Sequence, residues 1–591
     1  MKRVLATSDE RAARSRRGAA RIVIRVCALL LSVTAGSPGN AQQPTRQLQL
    51  NPNQTERNIE AIQLEQRRAK SAAMPLPKAP RSEISADTRP LFKLAAVSVD
   101  GAGAIAGGTI AETYRSYLGR TVSKADLTTI AAKISDLYRD AGYHLSRAIV
   151  PAQDIKNGRI RIQVIEGTVA DIVLKGDGAE QFGVRGLLAA VAAERPARLE
   201  TLERQLLLVN DRPGVHIADT ALEEIGVASG RFRLIVYLET WRIFTAFGLD
   251  SWGTPAVGPL QAYSSSALNS YFIAGDSLGL NLSTIPNAPR ELGFGRLSYD
   301  APVGASGARL GATAAYGEIW PGDDRARFST RTTAQTYEVR GSVVPLQTRK
   351  SSITLTASAG FSDVAERDSF GAIYSDHIRT VRLAADAQRQ DDLGGRNYLT
   401  VGVRQGLDVL GASRQGDDFL SRGGGSGLAT IVDFSYARYQ KLSDTWSLRI
   451  ATAGQLASTT LLESQEFYLG GPVFGRGYYG GELSGDNGVA GVLELRFDQA
   501  LKQGFLKGYQ IYGFVDRGTV WNVGDGKNTL SLSSAGAGVR FHLAAELEAD
   551  AGIALPLDYR APDNESRNPH IYFSLSKSFK LCPDRARLLC S

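Results

Sequence analysis

From Phe244 onward the sequence alternates, and that alternation limits what the chain can build. Leu278, Leu280 and Leu282 alternate with Asn281 and Ser283, and Ile353, Leu355 and Ala357 with Thr354, Thr356 and Ser358. Val381, Leu383 and Ala385 oppose Arg382 and Asp386; Leu493, Leu495 and Phe497 oppose Glu494 and Arg496. The same period runs through Val539, Phe541 and Leu543 against Arg540 and His542, and through Ile571, Phe573 and Leu575 against Tyr572, Ser574 and Ser576. A period of two places one face in an apolar medium and the other in a polar one. A soluble sandwich also alternates, so number and context decide. Roughly 340 residues, at about 21 per strand and connection, give about 16 strands. Only a closed barrel hides that many backbone edges in a membrane. The expected fold is therefore an all-β transmembrane barrel of about 16 antiparallel strands over residues 242–580, polar inside.

The ends of the chain agree with export. Lys2, Arg3, Arg11, Arg14, Arg16, Arg17, Arg21 and Arg25, set against Asp9 and Glu10, carry six of the eight net positive charges. The remaining body is nearly neutral, which argues against a nucleic-acid partner. A basic start, an apolar run from Ile22 to Ala35 and the small-residue site Gly39-Asn40-Ala41 read as a signal peptide over residues 1–41. The run is too short for a membrane-spanning helix, and nothing later reaches that length, so a later span must be β. Cys27 would leave with the signal. Cys582 and Cys590 remain close together near the end; in an exported chain they can close a short disulfide loop, or stay as two thiols in a frayed tail.

Between signal and barrel the pattern is different. Within residues 42–74, Thr55 to Ala73 can form one helix, but Ile59, Ile62 and Leu64 are its only large aliphatics, too few to join a core. Such a segment suits a water-filled channel or lacks fixed structure. Prolines 75, 77, 80 and 90 then mark a linker over 75–90. Residues 91–166 read as an α/β unit: a strand from Leu91 to Val99, a capping box at Ser123–Asp126 opening a helix that Gly142 closes, then strands Ser146–Val150 and Arg159–Val164. Residues 167–241 read as a second: strand Val169–Leu174, a helix near Ala189, another from Leu199 to Val209, and strand Phe232–Leu238.

One loop stands out inside the barrel region. Gly470-Gly471-Pro472-Val473-Phe474-Gly475-Arg476-Gly477-Tyr478-Tyr479-Gly480-Gly481-Glu482 is dense in glycine and carries one arginine. A guanidinium buried at such a tip needs a carboxylate to receive two parallel hydrogen bonds. Phe514-Val515-Asp516-Arg517-Gly518, an apolar strand with one acid, supplies a candidate. The expectation is that Arg476 and Asp516 pair inside the barrel and fix the loop in its lumen. Other motifs mislead. Gly475-Arg476-Gly477-Tyr478-Tyr479-Gly480 fits a dinucleotide fingerprint, but the following glycines forbid the helix that it needs. Gly275-Asp276-Ser277-Leu278-Gly279 fits a hydrolase elbow, yet a strand follows. His144, His216, His377, His542 and His570 show no metal-ligand spacing. No catalytic cluster, cofactor site or metal site is expected.

Together these pieces resemble the two-partner secretion transporters (TpsB type, haemolysin secretion/activation proteins) of the BamA-like superfamily. The first module resembles a POTRA domain through Tyr138-Arg139-Asp140-Ala141-Gly142-Tyr143 and Pro151-Ala152-Gln153-Asp154-Ile155-Lys156-Asn157-Gly158. Its motif residues are Gly142, Tyr143, Gln153 and Gly158; the second module resembles its partner through Asn210-Asp211-Arg212-Pro213-Gly214. Gly475, Arg476, Gly477 and Tyr478 resemble the family's loop-six motif, with Gly485-Asp486-Asn487-Gly488 completing that loop, and Phe514, Asp516 and Gly518 its inner-wall motif. The resemblance implies a plug helix before the linker, two periplasmic POTRA domains and residence in the outer membrane of a Gram-negative bacterium. It also implies export of a large unfolded exoprotein, an adhesin or haemolysin of TpsA type, with outer-membrane lipid and the barrel-assembly machinery as further partners. Two departures stand out: Gly475 occupies a position that is usually valine, and the chain continues past Phe579 as a tail over 581–591. A barrel-assembly insertase of the same superfamily is the alternative, although it would usually carry more POTRA modules. A passive porin leaves the modules unexplained.

Overall fold

Alternating side chains become a wall only if the strands find partners on both edges, and here they do. The computed structural model describes Pro77 and residues 84–524, 529–558 and 568–581. The signal peptide, the helix assigned to 42–74, most of the linker, and Cys582 and Cys590 lie outside the described residues. Sixteen strands, from β9 (Ile243–Asp250) to β26 (His570–Leu581), close an antiparallel barrel in which each pairs with its sequence neighbours in the wall. The seam joins β26 to β9 through eight residue pairs, Asp250↔Ser574 to Ile243↔Leu581. β20 (Phe467–Leu469) and β21 (Leu483–Gly485) stand outside this order and pair only with each other.

Leu280, Leu282, Val339, Leu383, Val403, Leu495, Ile511 and Phe573 are exposed on the outer face, as a lipid-facing wall requires. The strands are not uniform in length. β14 (Arg331–Gln347), β15 (Ser351–Asp368) and β16 (Gly371–Gln390) run for 17, 18 and 20 residues, well beyond the roughly ten that span a bilayer. β16 pairs with β17 (Gly395–Gly406) only from Thr380 onward, so its residues 371–379 rise above that neighbour at the mouth far from the N-terminal modules. No helix among the described residues is long and apolar enough to cross a membrane.

The first N-terminal module has two small sheets. β1 (Pro90–Lys93) pairs with β3 (Thr121–Ser123), while β2 (Ala96–Asp100) runs parallel to β5 (Arg159–Ile165), which also pairs with β4 (Arg147–Ile149). The single strand expected over Leu91–Val99 is thus broken in two. Leu94 is fully buried and bonds to the backbone of Gly119 and Arg120, whereas Ala95 turns to Gly158. A short helix α1 (Gly107–Tyr114) precedes α2 (Lys124–Asp140); α1 opens on two glycines and buries only Ile110, so it left little periodic signal. The capping box at Ser123 and Asp126 forms as read, with both reciprocal bonds present.

In the second module β6 (Thr168–Lys175) pairs parallel with β8 (Arg231–Thr240), and β7 (Val215–Glu224) lies antiparallel on the other edge of β8. Helices α3 (Val184–Ala193) and α4 (Leu199–Asn210) cover the sheet. The sequence reading missed β7, because a bulge between Ile217 and Asp219 breaks its alternation. The two modules share material. Leu145, from the first, sits in the core of the second beside Val169 and Phe182. Ser146 accepts a hydrogen bond from the Gly167 backbone, and Arg147 makes a salt bridge with Glu224 at 2.8 Å. At the other end α4 meets the barrel floor: Arg204 donates to the Val344 carbonyl at 2.7 Å, and Gln347 to Asp211 at 2.7 Å.

Candidate functional site in the barrel lumen

Loop 6 joins β19 (Trp446–Ala457) to β22 (Asn487–Ala500) and folds inward instead of away from the wall. The β20–β21 pair forms its stalk, and the chain between them bends back through glycine-dependent turns. Gly470 donates to the Phe474 carbonyl, Gly471 to that of Tyr478, and Tyr478 to that of Gly475. Gly475 has φ +89°, a region side chains rarely adopt, and a Cβ there would lie 2.7 Å from Leu532 Cδ1. A valine at this position would be both strained and obstructed. Gly518 makes room of another kind, since a Cβ on it would stand 2.3 Å from Leu469 Cδ2 at the end of the stalk. Tyr478 is buried with Leu469, Leu483, Ala490, Val520 and Leu532, and its hydroxyl donates to the Ser533 carbonyl.

Arg476 ends against the inner wall. Its Nη1 donates to Glu494 Oε2 at 2.8 Å, its Nε lies 3.5 Å from Asp516 Oδ2, and its backbone N–H donates to the same Asp516 oxygen at 3.3 Å. The guanidinium carbon stands 3.4 Å from the centre of the Phe514 ring, a cation–π contact within a desolvated site. The expected two-bond fork to Asp516 does not form. Glu494 takes the nearest nitrogen, the Phe514 ring covers one face, and Nε and Nη2 are buried without hydrogen-bond partners. Asp516 instead receives the Ser534 hydroxyl and the Arg476 backbone.

Glu494 is the hub that the sequence reading left out. It faces inward from β22 and meets three arginines: Arg476 at 2.8 Å, Arg496 at 2.8 Å and Arg540 at 3.1 Å. Arg540, from β24 (Leu530–Leu543), also bonds Asp550 at 2.8 Å and stacks over Tyr512, whose hydroxyl donates to Asp550. Tyr512 reaches Tyr572, which stacks on Trp252 at 4.6 Å. Glu494, Asp516 and Asp550 thus sit among Arg476, Arg496 and Arg540 in one patch, with Arg449 facing Glu494 from the neighbouring strand. Toward the open lumen a cavity of about 550 Å³ is lined by Arg449, Arg476, Arg496, Arg540, Glu548 and Asp550 among others. The signal for Glu494 was present in the sequence, as its strand's inward face carries it beside Arg496.

The structure brings Gly475, Arg476, Gly477 and Tyr478 together with Phe514, Asp516 and Gly518. It places the module motif elsewhere. Gly142, at φ +91°, ends α2, and its carbonyl accepts from Leu199 at the start of α4. The Tyr143 ring lies under Arg198, with 5.4 Å between the guanidinium carbon and the ring centre. Gln153 bonds Arg161 through both its backbone groups and so pins the loop to β5. The Gly158 carbonyl accepts from Ala95. These four hold the first module and its junction. Among the described residues no group of three or more metal-ligating side chains occurs.

Known proteins share the sequence pattern and the fold of this chain. The profile of the haemolysin secretion/activation proteins ShlB/FhaC/HecB matches residues 237–541, and that of the ShlB-type POTRA domain matches residues 92–167. The heme/hemopexin transporter protein HuxB of Haemophilus influenzae is 24% identical over 488 residues, covering 80% of this chain and 84% of that protein. Among solved structures, CdiB from Escherichia coli matches with a TM-score of 0.71 at 18% identity, covering 90% of this chain and 99% of that one. CdiB from Acinetobacter baumannii matches at 0.62 and 17%, covering 89% and 98%.

Proposed function

The chain belongs to the ShlB/FhaC/HecB family of haemolysin secretion/activation proteins, and from that premise we propose that the Arg476 seat is what holds its pore in working shape. The protein is an outer-membrane transporter of a two-partner secretion system, with its POTRA modules in the periplasm. It carries a secreted exoprotein to the cell surface, and this role, rather than barrel assembly, is the one its family performs. No nucleotide is needed for such transport in this reading; the exoprotein enters unfolded from the periplasm and folds outside.

In the proposed mechanism the two modules receive the exoprotein, through the sheet edges of β2 and β6 or the grooves beside them. They pass it to the lumen. Loop 6 occupies the lumen in the resting state, tied by Arg476 to Glu494 and Asp516. The observation that carries this reading is the burial of that arginine at the tip of an inward-folded loop, where its guanidinium meets the carboxylates of Glu494 and Asp516. A cation so placed fixes one loop position, because moving it leaves charges unpaired in a low-dielectric site. The outer wall's partner is outer-membrane lipid, and the barrel-assembly machinery inserts the chain.

Arg476→Ala is expected to reduce release of the secreted partner into the medium at least tenfold, while the barrel still shows the heat-dependent gel shift of a folded β-barrel. Undiminished export from a folded Arg476→Ala barrel would remove the loop from the mechanism.

A further inference from the structure

Loop 6 has a second tether, whose arginine lies outside the motifs that carry the family resemblance. Loop 5 spans residues 407–429, between β17 and β18 (Thr430–Lys441), and carries Arg422 before three glycines. Its Nη1 lies 2.5 Å from Asp486 Oδ1 and 2.7 Å from Glu466 Oε1, and donates to the Leu461 carbonyl at 2.9 Å. Both acid side chains are fully buried, and the arginine is 15% exposed.

Position gives these contacts their meaning. Glu466 immediately precedes β20 and Asp486 immediately follows β21, so one guanidinium pins the two feet of the loop-6 stalk. Asp486 also accepts from the backbone of Leu461 at 2.8 Å and of Val523, just past the strand that ends at Trp521, at 2.9 Å. Ser484 donates to Glu466 at 2.7 Å. The neighbour of the arginine, Ser421, bonds Asp376 on the raised part of β16 and accepts from the Glu463 backbone at 3.0 Å. Farther along loop 5, Ser426 donates to the Thr460 carbonyl. Two buried carboxylates this close repel one another unless a cation lies between them. Without Arg422 the feet of the stalk would spread or draw in water.

We propose that Arg422 is a positioning residue: an outer latch that fixes loop 6 in its inserted position and makes its withdrawal depend on loop 5. Arg476 holds the tip and Leu469 and Leu483 pack the stalk against the wall, but neither contact draws its two feet together. With the feet pinned as well, loop 6 leaves the lumen only when the Arg422 contacts to its stalk break and loop 5 stays behind. The inference rests on the reading of loop 6 as the occupant of the pore, and it adds a control point at the extracellular mouth.

Single-channel recording of the full-length protein in planar bilayers tests it, with no exoprotein present. Arg422→Gln is expected to make openings roughly tenfold more frequent, and Arg422→Lys, which keeps the charge, to stay within about threefold of the parent protein. The heat-dependent gel shift confirms that each barrel is folded. Because Arg422→Gln can also harm folding, Ser421→Cys combined with Glu463→Cys provides an independent arm. Its oxidised form ties loop 5 to loop 6 and should suppress openings, and reductant should restore them. Unchanged gating in folded Arg422→Gln, or openings that persist in the oxidised double-cysteine protein, would overturn the latch. If Arg476→Ala alters gating in the same recordings while the loop-5 variants do not, the latch fails and the loop-6 reading stands. If none of them alters gating, both fail.

Discussion

The second POTRA module and the seat of loop 6 are both buried, and they are held by opposite chemistry. The module closes over Phe182, Leu188, Leu206, Val209, Phe232 and Leu234, all 1% exposed or less, with Leu145 of its neighbour among them. The seat closes over Arg476, Glu494, Arg496 and Asp516, none above 5% exposed. Apolar packing is non-directional and tolerates small displacements, losing energy in proportion to the area uncovered. A charged cluster has few acceptable arrangements, because each group must keep its partner. The module is therefore built to persist, and the seat to define one position of its loop.

The comparison can be broken or sharpened by experiment. The largest effect is expected from Glu494→Gln, which strands three arginines at once. Denaturant unfolding of the detergent-solubilised barrel should show a loss of about 3–5 kcal/mol, and a loss below about 1 kcal/mol would mean that the cluster is solvated rather than buried. Next, Leu206→Ala should destabilise the second module by about 2–5 kcal/mol, read as faster proteolysis of the periplasmic part while the barrel's gel shift persists. An equal effect on the barrel would show that the two cores are not separable.

The smallest effect concerns His144, a polar side chain buried at 6% exposure with no hydrogen-bond partner for either ring nitrogen. Burial pushes its pKa down to about 4 from an ordinary 6.5. The unfolded chain then takes up the proton first as pH falls, so stability is full above pH 6.5 and is lost progressively from there toward pH 4. At about 1.4 kcal/mol per pH unit the loss reaches up to about 3 kcal/mol. Hydrogen exchange in the first module should quicken over that window, and His144→Phe should flatten the dependence. An unchanged pH profile in the variant would assign the sensitivity to other groups.

The sequence made the wall legible because its alternation is a property of single strands, visible without knowing their neighbours. Asp516 could be singled out because it interrupts an apolar run. Glu494 was harder: it shares its inward face with Arg496, and a nearby cation makes an acid look satisfied locally. Arg422 left no periodic signal, since it sits in a loop whose partners, Glu466 and Asp486, belong to another loop. Its one clue was compositional, an arginine beside a run of glycines as in loop 6. In the modules, the break at Leu94 and the bulge in β7 escaped for the same reason, because both are set by cross-strand contacts rather than by local pattern. The two-bond fork to Asp516 failed for want of knowledge of a competitor.

One feature of the periplasmic half bears on how force travels. Because Leu145 is rooted in the next module's core and α4 grips the barrel floor through Arg204 and Asp211, there is no slack segment between the first module and the membrane. A displacement of the modules therefore bears directly on the turn after β12 (Leu292–Val303) and on the end of β14. The periplasmic arm works as a lever whose short end rests on the rim of the pore.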